Sequence, residues 1–93
     1  MGMIVAWTDI AWEQFEYWLD TDKKMIKRIR ALIKDTKRNG YGGIGKPEGL
    51  KGDMSGLWSK RIDSEHRFVF FIHENENGQQ ILNIISVRYH YDK

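Results

Sequence analysis

Arg67-Phe68-Val69-Phe70-Phe71-Ile72-His73 is the stretch on which the fold turns. Strand side chains alternate between two faces. Here Val69, Phe71 and His73 alternate with Phe68, Phe70 and Ile72, so both faces are largely apolar and the strand belongs in the middle of a sheet. The runs on either side, Leu57 to Ile62 and Ile81 to Tyr89, are strand-like too, and Asp63-Ser64-Glu65 and Asn75-Glu76-Asn77-Gly78 are turn sequences between them. These pieces predict an antiparallel meander. Its register has a consequence: Arg61 and Arg67 share a sheet face only if paired residue numbers sum to an even value, such as 62 with 66.

Upstream, Gly40, Gly42, Gly43, Gly45, Gly49, Gly52 and Gly56 surround Pro47, which predicts a loop bearing short ordered pieces. It is not a phosphate-binding loop, because Gly45-Lys46 is followed by proline rather than by a Ser or Thr opening a helix. Before the loop, Ala11, Phe15, Trp18 and Leu19 recur at helical spacing behind a Thr8-Asp9 start, with Glu13, Gln14 and Glu16 outward. Asp20-Thr21-Asp22 interrupts the pattern. Met25, Ile26, Ile29, Leu32 and Ile33 then resume it in a second helix ending near Arg38, before Asn39-Gly40. Met3-Ile4-Val5-Ala6-Trp7 is a leading strand. The order β-α-α-β-β-β indicates one α+β domain over residues 1–93. A helical hairpin covers one face of a mostly antiparallel sheet and leaves the other partly open.

The chain has 93 residues, enough for one core, and its four Trp, four Tyr and four Phe allow that core to close without staples. Cysteine is absent. The second helix carries Lys23, Lys24, Lys27, Arg28, Arg30, Lys34, Lys37 and Arg38 against only Asp22 and Asp35. That face is either simply solvated or turned to a phosphate-rich partner. The net charge of +2 is too mild to choose. No apolar run approaches the roughly 18 residues of a membrane span and the start lacks signal-peptide features, so a cytoplasmic protein with no membrane partner is expected. His66, His73 and His90 are scattered, so neither a metal site nor another cofactor is expected.

The candidate chemistry lies in four places. Lys46-Pro47-Glu48-Gly49-Leu50-Lys51 offers a carboxylate between cations. Trp58-Ser59-Lys60-Arg61-Ile62 and His66-Arg67-Phe68-Val69-Phe70 offer paired basic strands, and Val87-Arg88-Tyr89-His90-Tyr91 brings a cation, an imidazole and phenols to the last strand and tail. On a continued strand Arg88 and His90 face one way and Tyr89 and Tyr91 the other, so only a twist or a strand end brings His90 and Tyr91 together. Carboxylate, guanidinium and imidazole together are what phosphodiester cleavage without a metal requires. The structural alternative is a set of amphipathic side chains capping a sheet edge.

Several stretches taken together resemble the YoeB/Txe toxins of the RelE superfamily, the ribosome-dependent mRNA interferases of bacterial toxin–antitoxin pairs. They are Trp12 through Trp18-Leu19-Asp20-Thr21-Asp22-Lys23, Leu32-Ile33-Lys34-Asp35-Thr36, Gly45-Lys46-Pro47-Glu48, Ser55-Gly56-Leu57-Trp58-Ser59-Lys60-Arg61-Ile62, Glu65-His66-Arg67 and Arg88-Tyr89-His90-Tyr91. The resemblance implies a fold like that of microbial ribonucleases and cleavage of mRNA in the ribosomal A site. It also implies neutralisation by a small YefM-like antitoxin that wraps the toxin, and a homodimer for which an exposed Trp or Phe on a helix is the patch to inspect.

Each implied role suits its residue. In the metal-free route the substrate's 2′-OH attacks the adjacent phosphate, which needs a base, an acid and cations around the phosphorane. Glu48 becomes the base, ionised at neutral pH. Arg67 bridges the phosphate with its planar fork. His90 is the acid, and Tyr91 orients or stacks a base. Lys51, Arg61 and Arg88 support RNA binding. His66, beside Arg67, is expected on the opposite face in a structural role, and His73 exposed at a turn. The family pattern ends at the tyrosine, whereas Asp92-Lys93 follow Tyr91 here. A rival of another class is a catalytically silent RNA- or antitoxin-binding module.

Overall fold

β-branched and aromatic residues at alternating positions form the strands, and the computed structural model, which describes residues 2–89, gathers them into one five-stranded sheet. Along the chain run β1 (Ile4–Trp7), α1 (Asp9–Thr21), α2 (Lys23–Asn39), β2 (Glu48–Gly49), a single 3-10 turn (Gly52–Met54), β3 (Trp58–Arg61), β4 (Arg67–Glu74) and β5 (Gln80–Ser86). The spatial order β1-β5-β4-β3-β2 puts β4 at the centre, as its doubly apolar pattern requires. β3, β4 and β5 form the antiparallel meander. The short β2 extends it beyond β3, and β1 closes the other edge by lying parallel to β5.

Local chemistry sets the helix ends. Thr8 Oγ1 accepts from the Ala11 N–H at 3.0 Å and starts α1. Asp22 serves both helices: its N–H donates to Trp18 O at 2.9 Å and its Oδ1 accepts from the Lys24 N–H at 3.0 Å, so one residue turns the chain. Gly40, at φ 61°, donates to Thr36 O at 2.8 Å and stops α2 one residue beyond the expected Arg38.

Ala11, Trp18, Met25, Ile26, Ile29 and Leu32 from the helices pack on Ile62, Phe68, Phe70, Leu82, Ile84 and Val87. Each fully buried Leu, Ile or Phe contributes about 1.5–3 kcal/mol, so this helix-covered face supplies most of the stability. Leu19, expected in the stripe, is 46% exposed. It lies at the margin of the apolar face, one position past Trp18, and lines a surface groove with Lys23, Ile26, Lys27 and Arg30.

The last strand is shorter than its composition suggests. Val69 pairs with Ser86 and Phe70 with Ile84, so Ile85 is an extra residue, a β-bulge. Before the bulge Leu82 and Ile84 face the helices; after it Val87 does. The strand then stops at Ser86, and residues 87–89 form a bend, so the alternation expected through Tyr89 does not hold there. Side chains have taken the backbone groups that a neighbouring strand would use. Gln14 Oε1 accepts the Val87 N–H at 2.7 Å, and Trp18 Nε1 donates to Val87 O at 2.9 Å.

Candidate active site

Register places the candidate residues. Glu48 pairs with Ser59, Ser59 with Val69 and Val69 with Ser86, which makes one row across four strands. Directly paired residues point to the same face, and Val69, though fully buried, is not part of the core under the helices. The row therefore lies on the helix-free face. Arg61 pairs with Arg67, two residues along the same face. The paired numbers sum to an even value, so the parity condition is met and both arginines start from this face. Strand spacing puts the Glu48 and Arg61 α-carbons about 8 Å apart and those of Glu48 and Arg67 about 12 Å apart. Long side chains span such gaps around one phosphate. Glu48 and Lys51 are exposed in the glycine-rich segment, at β2 and just after it.

Lys60, read in the sequence as one of a run of strand cations, points the other way and is completely buried. Its Nζ reaches Asp35 Oδ2 at 3.2 Å, Thr36 Oγ1 at 2.9 Å and Gly40 O at 3.1 Å. Burial pushes the Lys60 ammonium down from its ordinary value and the Asp35 carboxylate pulls it back up. Burial works to raise Asp35, but hydrogen bonds from Asn39, Lys60 and the Ile44 N–H outweigh it and hold the carboxyl below its usual range. This pair clamps the start of the glycine-rich loop to α2 and to the underside of β3. Farther along, Gly45 O accepts the Arg61 N–H at 2.7 Å. Gly45 has φ 89°, and a β-carbon there would come within 2.9 Å of Lys60 Cβ and 3.1 Å of Leu32, so a side chain has neither the backbone conformation nor the space. Lys46 is left-handed too, at φ 52°, and after these two residues the loop delivers Glu48 to β3.

Arg67 opens β4 beside a tight turn. Asp63 Oδ1 accepts the N–H groups of Glu65 at 2.8 Å and His66 at 2.6 Å. Burial works to raise the Asp63 carboxyl, and these two bonds, with the charge of Arg67 and that of His66 whenever its ring is protonated, bring it below the ordinary value instead. The Arg67 Nη1 donates to Asp63 O at 3.1 Å, His66 O at 3.3 Å and Ser64 O at 3.4 Å, which orients the guanidinium over the turn. The Arg67 N–H donates to Tyr89 O at 2.9 Å. His90 and Tyr91 lie outside the described residues, and Tyr89, the residue before them, is thus fastened to the backbone of Arg67. Arg88 goes elsewhere: its Cζ sits 3.7 Å from the Tyr17 ring centroid on α1 and 4.7 Å from that of Tyr89. His66 packs edge-on against Trp18 with centroids 4.9 Å apart, on the helix side. His73 is exposed, with Nδ1 2.9 Å from Asn83 Nδ2.

The sequence profile of a family described as YoeB-like toxins of bacterial type II toxin–antitoxin systems matches residues 7–91. The chain belongs to that family. It is 44% identical to the toxin YoeB of Escherichia coli strain K12 over 89 residues, which cover 96% of this chain and 100% of the relative. A YoeB/ParE toxin from Agrobacterium tumefaciens superposes with a TM-score of 0.89 at 45% identity, covering 96% of this chain and all of the other. YoeB from Staphylococcus aureus has been solved as a dimer, with a TM-score of 0.85 at 40% identity, and as a YoeB–YefM complex, with a TM-score of 0.81 at 39% identity. Each of these covers 96% of this chain and 98% of the other. The toxin's matched span contains Glu48, Lys51, Arg61, Arg67, Arg88, His90 and Tyr91.

Sequence reasoning missed the residues that hold the candidate site in place. Asp35 and Lys60 gave no signal because a lysine on a strand reads as exposed. Gln14 read only as an outward helix residue, yet it holds the backbone of Val87.

Proposed function

We propose that this toxin is an endoribonuclease that cuts mRNA in the ribosomal A site by attack of a 2′-OH on the adjacent phosphate. The observation that carries the reading is the pair Arg61–Arg67, directly opposed on the helix-free face, with the exposed Glu48 two residues away on the neighbouring row. Like charges set opposite each other destabilise a sheet. A phosphate between them converts that repulsion into charge-assisted hydrogen bonds, and a carboxylate at its edge is placed for a 2′-OH.

Glu48 takes the 2′-OH proton, while Arg67 and Arg61 hold the phosphorane. His90 protonates the leaving 5′ oxygen, and Tyr91 orients or stacks the flanking base. Lys51 adds positive potential beside Glu48, whereas Arg88 stays stacked on Tyr17 of α1. No metal or other cofactor is assigned a step. The surface of α2 serves the ribosome: Lys23, Lys24, Lys27, Arg30, Lys34, Lys37 and Arg38 are exposed there, and Asp35 is committed to the buried Lys60.

A YefM-like antitoxin is the proposed second partner. The groove floored by Leu19 and Ile26 and ringed by Lys23, Lys27 and Arg30 matches an acidic amphipathic segment. A homodimer is supported by Trp12, exposed on α1 and stacked on Phe15. The decisive experiment expresses the chain with and without its antitoxin and maps new mRNA 5′ ends inside codons. Cuts are expected in the antitoxin's absence. Uncut message beside normal growth overturns the nuclease reading in favour of a silent binding module.

A further inference from the structure

Tyr89 is a β-carbon-bearing residue held at φ 69°, a left-handed conformation that persists only where neighbours enforce it. Both of its backbone polar groups are enforced. The N–H donates to His66 Nδ1 at 2.7 Å, and the carbonyl accepts from the Arg67 N–H at 2.9 Å. The residue is 57% exposed, so burial does not explain the conformation.

We propose that His66 is a positioning residue whose neutral imidazole, through Nδ1, latches the chain end from which the general acid hangs. The inference rests on the cleavage reading for its consequence, and on the Tyr89–His66 hydrogen bond for its substance. A backbone N–H only donates, so Nδ1 carries no hydrogen and the ring hydrogen sits on Nε2, 3.8 Å from Glu65 Oε1. The ring is fixed from behind by its edge contact with Trp18, whose Nε1 in turn holds Val87 O. The backbone N–H of His66 is fixed by Asp63 Oδ1. Gln14 and Trp18 thus hold Val87, and His66 and Arg67 hold Tyr89, so the last described residues hang on paired contacts from α1 and the β3–β4 turn.

A second proton on the ring abolishes the acceptor and opens the latch. The charged groups beside the ring are Glu65 and Asp63, and Arg67 donates to the carbonyl of His66. The latch is therefore held by the neutral ring alone. Opening it releases the Tyr89 N–H, one of the contacts that set where the chain continues.

Two substitutions separate the acceptor from the ring. His66→Leu keeps an apolar contact for Trp18 without an acceptor, and His66→Asn puts an amide oxygen near the Nδ1 position. In the full chain, amide hydrogen exchange read by NMR should show Tyr89 protection falling about tenfold in His66→Leu and returning in His66→Asn. Turnover on ribosome-bound mRNA should fall at least tenfold in the leucine variant with the KM for ribosomes unchanged, and recover in the asparagine variant. Wild-type Tyr89 protection should drop on acidification, and that of His66→Asn should not. Equal Tyr89 protection in wild type and His66→Leu overturns the proposal, as does equal impairment of the two variants. If thermal unfolding shows that the leucine variant does not fold, the pH dependence of His66→Asn decides alone: an acid-induced loss matching wild type overturns the latch. A wild-type protein that leaves mRNA intact sinks the cleavage reading, and the Tyr89 protection still decides the latch.

Discussion

Asp35→Ala should cost about 3–5 kcal/mol, because it leaves the fully buried ammonium of Lys60 with only two neutral acceptors, Thr36 Oγ1 and Gly40 O. A domain of this size has about 5–15 kcal/mol in total, so the variant should be folded but marginal. Lys60→Met keeps the buried stem and removes the charge. Asp35 then retains Asn39 and the Ile44 N–H and stays partly solvated, so the cost falls to about 1–2 kcal/mol. The double variant should be more stable than Asp35→Ala alone, since the orphaned cation is gone. Urea unfolding at neutral pH measures all three. The pH dependence gives a second, signed readout. Burial already holds Lys60 below its ordinary 10.5, and loss of the carboxylate lowers it further. As pH climbs toward 10.5 the folded state releases its proton first, the unfolded state binds more protons, and stability relative to wild type should rise. A cost below about 1 kcal/mol would refute the reasoning, as would a double variant weaker than Asp35→Ala or a relative stability that falls with pH.

Gly45→Ala combines left-handed strain with contacts on Lys60 Cβ and Leu32, so about 2–3 kcal/mol should be lost and Glu48 displaced; thermal unfolding and mRNA cleavage should both report it. Tyr41→Phe removes the hydroxyl that takes the Ile72 N–H at 2.9 Å and donates to Ile72 O at 3.1 Å, where β3 has ended; urea unfolding should show about 1–2 kcal/mol lost. Glu48→Gln should lower turnover on ribosome-bound mRNA about 10²–10⁴-fold with stability unchanged, and a variant as fast as wild type would remove Glu48 from the base role. Asp35 and Asp63 titrate below their ordinary 3.8, so their stabilisation is complete above 3.8 and lost as pH falls through the folded values; urea midpoints followed from pH 5 downward should decline there.

What could be read in the chain was what its periodicity encodes. The two apolar faces of residues 67–73 put β4 at the centre, and the stripes of α1 and α2 predicted the core, apart from Leu19. Parity stated in advance what a hairpin register would mean for Arg61 and Arg67, but the register itself depends on how the Asp63 turn is built. Val87-Arg88-Tyr89 has strand composition, and the strand ends before it because Gln14, Trp18 and His66 supply its hydrogen bonds from distant positions. No local pattern announces such partners. Nor does one announce that Lys60 turns inward, since a buried lysine is legible only beside its carboxylate, 25 residues away.

The parallel pairing of β1 with β5 joins the two ends of the fold, with Ile4 beside Ile81 and Thr8 bonded to Ile85 across 77 positions. Closing a loop of that length costs about 4 kcal/mol of chain entropy before any contact repays it. During synthesis the first strand therefore waits without a neighbour, and α1 without the surface it covers, until β5 has emerged. Closure of the sheet is in this way a late event, set by the last of its strands to appear.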